Sequence, residues 1–215
     1  TMIGWYSTFE PLEVAVEDSV FADLEKRASA ESLTVTPLLV TQDVDVPVLA
    51  VAVHRDGEWP RFAVGSGADL DPTAAARSAL AEALQNWMEL RAMGPEQAAA
   101  EKAAIGEYAD FPAAAQSFVD TERTIPVDSL GEPEQSGTAA LDAVCERLVD
   151  ADLDSYAARL TTRDVEALGF EAVRVVVPSA QPLFTGEAFF GERARSVPQS
   201  LGFEPRADGP YHPYP

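Results

Sequence analysis

The chain has 215 residues, 47% of them hydrophobic, and sets 36 acidic against 15 basic side chains for a net charge of −21. That length and apolar share supply a core for one domain or two small ones and exclude wholesale disorder. The shortage of clustered cations argues against free nucleic acid as a partner, because phosphate binding depends on Lys and Arg that displace counterions. Lysine is confined to Lys26 and Lys102, and so acidic a balance fits a halophile whose salt screens the self-repulsion.

A single cysteine, Cys145, rules out an intramolecular disulfide and a thiolate metal cluster. It takes an apolar position in Leu141-Asp-Ala-Val-Cys145-Glu-Arg-Leu-Val149, so a buried, inert thiol is expected. No apolar run is long enough to span a bilayer, and the first residues lack a secretory pattern; a soluble, cytoplasmic protein away from membranes is expected.

In chain order, residues 21–33 suit a helix, with Leu24, Ala28 and Leu33 among charges. Strands are expected over 35–40 and 46–54, and after the turn Arg55-Asp-Gly-Glu58 a third over 61–64. Gly65-Ser-Gly67 then reads as a tight strand-to-helix turn. A phosphate cradle is the other reading of those glycines, and the carboxylates of Asp69 and Asp71 oppose it. Asp71 as N-cap and Pro72 in the first turn open a helix running from Ala74 to Arg91. At 100° per residue, Ala79, Leu80, Ala83, Leu84, Trp87 and Met88 share one side, while Ser78, Glu82, Gln85 and Glu89 share the other.

Residues 98–104 extend helical pattern, Gly106 and Pro112 bracket an irregular piece, and 128–137 form a polar connection and possible sub-boundary before a helix over 138–149. Strands over 155–160 and 172–177 flank a short helix, 163–168, that Gly169 ends, in a βαβ-like unit. From Gln181 the chain is rich in Gly, Pro and aromatics and is expected to wrap over the rest without regular structure. The fold class is therefore α+β: a mixed, largely antiparallel sheet with helices mainly on one side and an irregular, proline-rich C-terminal tail.

The polar side of the 74–91 helix has two readings. Glu82 is a candidate carboxylate for a magnesium ion bridging nucleotide phosphates, and Gln85 a candidate amide for a phosphate or carbonyl oxygen; otherwise the face is simply solvated. His54 and His212 are too few for a zinc site built on imidazoles, and no Gly-x-Ser-x-Gly elbow supports a serine nucleophile. His54 reads as a strand-end residue. The ending Pro210-Tyr-His-Pro-Tyr-Pro215 loses little entropy on docking and can project a side chain or its own carboxylate into a cleft, or it is a disordered tail. Arg159, Arg163 and Arg174 are expected to pair with nearby carboxylates.

Taken together, Val46-Pro-Val-Leu-Ala-Val-Ala-Val53, the glycine pair, Asp71-Pro72, Glu82-x-x-Gln85, Arg159-Leu-Thr-Thr-Arg-Asp-Val165, Gly169-Phe-Glu-Ala-Val-Arg-Val-Val-Val-Pro178, Gln181-Pro-Leu-Phe184 and His212-Pro-Tyr-Pro215 resemble the second half of the YcaO domain. The resemblance runs from about Trp5 to Pro215, and with the composition it suggests a halophilic archaeal source. Members of that family activate peptide backbone amides with ATP and Mg²⁺. Azoline-forming cyclodehydration uses a neighbouring Cys, Ser or Thr; thioamidation uses external sulfide. The resemblance implies catalytic roles for Glu82, Gln85, His212 and Pro215, cofactor binding by Arg77, Ser78, Glu82 and Gln85, and a metal ligand in Glu82. It implies that residues 1–215 are the C-terminal portion of the domain, that the main nucleotide-binding half precedes Thr1, and that the fragment alone is inactive. Trimming Tyr211 to Pro215 is expected to abolish activity of the intact enzyme without unfolding it. Implied partners are a peptide substrate, a sulfur-delivery protein such as a TfuA-like one, and further copies of the chain. A noncatalytic module that kept the fold to hold a peptide or partner is the alternative. The chain departs from the family where an arginine precedes the glutamate by four residues, here Ser78, and where one follows the glutamine by two, here Trp87; Arg77 and Arg91 are the nearby substitutes.

Overall fold

A computed structural model describes residues 1–41, 43–101, 104–131 and 136–214. Helix α1 (Met2–Trp5) leads to strand β1 (Leu12–Ala15), helix α2 (Ser19–Ala30), and strands β2 (Thr34–Leu39), β3 (Val48–His54) and β4 (Phe62–Ala68). Helix α3 (Pro72–Met93) is followed by α4 (Pro95–Glu101), α5 (Ala104–Tyr108), α6 (Ala113–Val119) and β5 (Thr124–Pro126). The remainder comprises α7 (Gly137–Asp150), β6 (Tyr156–Arg159), α8 (Arg163–Ala167), β7 (Val173–Val176) and α9 (Arg193–Ser200). Among the described residues no helix is long and apolar enough to cross a membrane.

The main sheet has five strands in the order β4-β3-β2-β1-β5, antiparallel except where β5 runs parallel to β1. The interior strand β3, next to the edge strand β4, is apolar at nearly every position because both faces are covered, so its sequence shows a continuous run and no alternation. Leu49, Val51 and Val53 enter the core under α2 and α3. Ala50 and Ala52 enter a second apolar cluster, formed with Met2, Tyr6, Phe118, Phe184 and Tyr214. Helices α2 and α3 thus hold one face, and α1, α6 and the C-terminal tail close the other.

Several expectations are corrected. Gly65 and Gly67 lie inside β4, paired with Val51 and Leu49, and the turn itself is made by residues 69–71. A Cβ on Gly65 would stand 2.4 Å from both the Ala79 carbonyl oxygen and the Ala83 nitrogen, and one on Gly67 would stand 2.3 Å from the Ala75 carbonyl oxygen. These glycines therefore let α3 lie directly on the strand backbone. Met88 is 65% exposed, while Asn86 takes a buried place on α3. Strands β6 and β7 pair antiparallel, Tyr156 opposite Val176, so the unit is not βαβ. A five-residue helix rises only about 7.5 Å, too little to carry the chain back along a strand for parallel pairing.

The tail is not wholly irregular. Helix α9 forms where Ala194 and Val197 are buried and Arg193 donates to Asp43 at 3.0 Å and to the Ala151 carbonyl at 2.9 Å; tertiary anchoring overrides a polar, proline-containing sequence. Cys145 is exposed. Helix α7 turns the stripe of Leu141, Cys145 and Val149 outward and buries Arg147 instead. Residues 132–135 of the expected 128–137 connection, and 102–103 of the expected 98–104 helix, lie outside the described residues.

Candidate functional site

Helix α3 begins as its sequence dictates. The Asp71 carboxylate accepts from the Thr73 amide at 2.9 Å, and the Asp69 carboxylate accepts from the Asp71 amide at 3.0 Å. Both acids are committed to the backbone there, so this helix start is closed to a bare phosphate.

About three turns further on, α3 runs along the outer edge of the sheet. Because β4 is an end strand, the backbone groups of alternate residues point away from β3 without a ladder partner. Two side chains of α3 supply partners: Asn86 Nδ2 donates to the Val64 carbonyl at 3.0 Å, and Glu82 Oε2 accepts from the Ser66 amide at 2.6 Å. The same i, i+4 spacing that puts Glu82 and Asn86 on one line of the helix matches two successive outward groups of the strand. Glu82 is half-buried and held in place, while Gln85 and Ser78 are exposed beside it. A carboxylate with one oxygen fixed by an amide retains its second oxygen for a cation. Among the described residues no cluster of three or more His, Cys, Asp or Glu side chains is poised to hold a metal. A single carboxylate nonetheless suits Mg²⁺, which is commonly held by one or two carboxylates together with phosphates.

The arginines near this face are engaged elsewhere. Arg77 makes a two-pronged contact with Asp18, the N-cap of α2, with Nε at 2.8 Å. This guanidinium, with the Phe21 amide, holds the Asp18 carboxyl well below the usual carboxylate range. Arg91 pairs with Glu31 at 2.8 Å and stacks on Trp87, whose other neighbour is the Arg55 guanidinium. Around the helix Arg77 and Arg91 stand about 140° and 180° from Glu82. Trp87, at a position where the resemblance calls for arginine, is buried and donates to the Pro60 carbonyl at 3.0 Å. The α2–α3 pairing thus absorbs both cations that sequence reasoning considered for phosphate contact.

His212 lies on the opposite face of the sheet. It is 1% exposed, stacked between Tyr211 and Tyr214, with Nε2 2.6 Å from the Phe184 carbonyl. A carbonyl partner requires Nε2 to carry the proton, leaving Nδ1 as a buried atom without a partner. The Tyr211 hydroxyl donates to the same Phe184 carbonyl at 2.8 Å, the Tyr108 hydroxyl donates to the Tyr211 carbonyl, and Trp5 Nε1 donates to the Pro210 carbonyl at 2.9 Å. Pro210 and Trp5 also line a cleft of about 610 Å³ with Phe118 and Arg206. The tail is therefore docked up to Tyr214; Pro215 lies outside the described residues. The structure brings Ser78, Glu82 and Gln85 together, sets Arg77 apart, and puts His212 across the sheet from all of them. Sequence reasoning missed Asn86 and the Ser66 amide. The signal for Asn86 was an amide at i+4 from Glu82; the edge position of β4 was not readable from the sequence.

Residues 1–181 match the family described as YcaO cyclodehydratase, ATP- and Mg²⁺-binding. The chain belongs to the YcaO family. Its fold is shared with a heterocyclase solved in complex with substrate and cofactor (TM-score 0.74, 22% identity, 99% of this chain and 28% of that one). It is shared also with the heterocyclase TruD (TM-score 0.73, 21% identity, 94% and 28%). A YcaO protein from Methanopyrus kandleri bound with AMPPCP and Mg²⁺ matches less extensively (TM-score 0.58, 21% identity, 80% and 45%). The chain spans under a third of the length of the two heterocyclases. Among curated proteins none matches it.

Burial of the YcaO tail has a pH consequence. Desolvation lowers the His212 pKa from its ordinary 6.5 despite the opposing Phe184 carbonyl, and burial lowers that of His54 likewise. The unfolded chain then takes up the proton first, so the stabilisation is complete above about pH 6.5 and is lost as pH falls through the lowered folded values. The urea midpoint is expected to drop between pH 7 and 5, and His212→Gln to remove the tail's share of that drop. A flat profile in both proteins would show that the imidazole is not buried neutral.

Proposed function

We propose that this chain is the C-terminal portion of an ATP- and Mg²⁺-dependent enzyme that activates peptide backbone amides, with cyclodehydration to azolines as its reaction. The supporting observation is the Glu82 carboxylate, fixed by the Ser66 amide beside exposed Gln85, in a chain whose first 181 residues match an ATP- and Mg²⁺-binding family. The nucleotide, when bound, supplies the phosphoryl group that turns the amide oxygen into a leaving group. In this chain Glu82 offers its second oxygen to the cation, and Ser78 and Gln85 offer exposed polar groups to phosphate or carbonyl oxygens. Arg77 and Arg91 are held by Asp18 and Glu31. The cations that neutralise phosphate charge therefore belong to a companion segment carrying the main nucleotide-binding residues. Residues 1–215 alone are expected to be inactive.

The docked tail, with buried His212, belongs to the peptide side of the reaction. The substrate is a peptide. Thioamidation, with a TfuA-like protein delivering sulfur, is the other outcome of the same amide activation, and assembly of several copies accompanies either chemistry.

Glu82→Gln tests the reading at this helix. Glutamine still accepts from the Ser66 amide but loses the charge, so folding is expected to stay intact. Calorimetry on the intact polypeptide in molar salt with Mg²⁺ is expected to show at least a tenfold loss of ATP affinity, of the order that removing one charged ligand contributes. Unchanged affinity would sink the enzymatic role of Glu82.

A further inference from the structure

The cleft of about 610 Å³ beside the docked tail takes no part in the reading of α3. It opens where α1, α6 and the tail meet, on the sheet face opposite that helix, and its wall combines two chemistries. Trp5, Phe9 and Phe118 give it aromatic surface. The Trp5 ring is set in advance, by the bond from its Nε1 to the Pro210 carbonyl at 2.9 Å and by edge-on packing against Phe118 at 5.3 Å. Glu10, Asp120 and Glu122 give the cleft carboxylates on an exposed rim, where the described residues set one guanidinium, Arg206, against them. Among the described residues no ion pair engages any of these four charges.

The three carboxylates are spaced and do not converge, since among the described residues no group of three or more His, Cys, Asp or Glu side chains is poised to hold a metal ion. Their sign repels nucleotide phosphates. Spaced carboxylates round an aromatic wall suit a ligand whose cations are spread along a chain, because a guanidinium or ammonium both stacks on an indole and pairs with a carboxylate. The Ser117 and Thr121 hydroxyls, also in the wall, offer hydrogen bonds to main-chain amides and carbonyls. The volume is within the range of ligand sites, and a peptide bearing Arg or Lys meets each of these features. The wall also includes Pro210, two residues before His212, so a peptide held here runs beside the docked tail.

We propose that this cleft is a docking subsite for a basic segment of the substrate peptide, with an Arg or Lys side chain laid against Trp5 and paired with the rim carboxylates. The proposal rests on the functional reading above, from which it takes a peptide as the substrate. Because the cleft and Glu82 lie on opposite faces of the sheet, the segment held here is one remote from the reacting amide. The test is calorimetry on the intact polypeptide, without nucleotide, using two capped octapeptides that differ only in carrying two Arg or two Glu residues. The Arg peptide is expected to bind at least tenfold more tightly. The double variant Glu10→Arg, Glu122→Arg, at two exposed positions, is expected to invert that preference. Asp142→Arg with Glu146→Arg makes the same change of charge on the exposed side of α7 and is expected to keep it. Equal binding of the two peptides by the unaltered protein overturns the proposal, as does a preference that the cleft variant retains. Equal inversion by both double variants assigns the preference to the −21 charge of the whole chain and overturns it too. ATP-dependent turnover of the Arg peptide is measured separately. Inversion confined to the cleft variant without turnover would leave the subsite standing and remove the functional reading; turnover without any peptide preference would do the reverse.

Discussion

Gly65→Ala is expected to lower the stability of the chain by about 3 kcal/mol, because the added methyl has no direction in which to relax. Its Cβ would meet the Ala79 carbonyl oxygen and the Ala83 nitrogen at 2.4 Å and the Glu82 Cβ at 2.7 Å. Two of those atoms are helix backbone, so α3 must lift from β4 as a unit and open the alanine-rich seam of Ala75, Ala79 and Ala83 beneath it. For a domain of this size the loss corresponds to a fall of about 6–12 °C in Tm. Gly186→Ala is the control, since its Cβ would meet nothing within 4 Å. A Tm for Gly65→Ala within a degree of that control would show that α3 does not rest on the strand backbone. The lift would also withdraw the Glu82 carboxylate from the Ser66 amide, so the proposed ATP affinity of the intact polypeptide is expected to fall with stability.

The second large effect separates the ring of Tyr214 from its hydroxyl. The ring is 2% exposed and packs edge-on to Trp5 and Phe118 and against His212, on the sheet face opposite α3. Tyr214→Ala is expected to cost about 3–5 kcal/mol, as for other large aromatic truncations. The hydroxyl, by contrast, is buried without a hydrogen-bond partner. Tyr214→Phe is therefore expected to leave stability unchanged or raise it by about 1 kcal/mol. Urea unfolding of the two variants reads the contrast directly, and a Tyr214→Phe protein destabilised by as much as Tyr214→Ala would reveal a partner for the hydroxyl. The same packing revises the expectation that residues 211–215 can be trimmed without unfolding. Removing them uncovers Phe184 and Phe118 as well as the tail itself, so loss of activity after trimming would mix chemistry with stability. Point variants of the tail are the cleaner probe.

Much of the site was legible in local sequence. Asp71 and Pro72 announced the start of α3, and helical spacing grouped Ser78, Glu82 and Gln85, since capping and the 3.6-residue period are local properties. The state of each residue was not legible. Arg77 looked available one position from where the resemblance wanted a cation, and only the folding of α2 against α3 shows it committed to Asp18. Glu82 looked like a solvated carboxylate, and only the end position of β4 explains why it accepts from Ser66. Helix faces were misjudged where one residue's polarity outweighed the pattern. Met88 and Cys145, read as apolar-face residues, lie outside, while the polar Asn86 and Arg147, to which no role was given, lie inside with partners.

What the sequence by itself determined is the α+β class, the long capped helix, most strands of the sheet and membership of the YcaO family. These depend on periodicity, turn residues and ordered motifs, which are carried by neighbours along the chain. Tertiary structure alone decided that Gly65 and Gly67 make a helix seat and no turn, that β6 and β7 run antiparallel, and that His212 is buried across the sheet from Glu82. Each of these depends on contacts between residues far apart in sequence, where close packing and the pairing of buried polar groups choose among arrangements that local preference leaves equal.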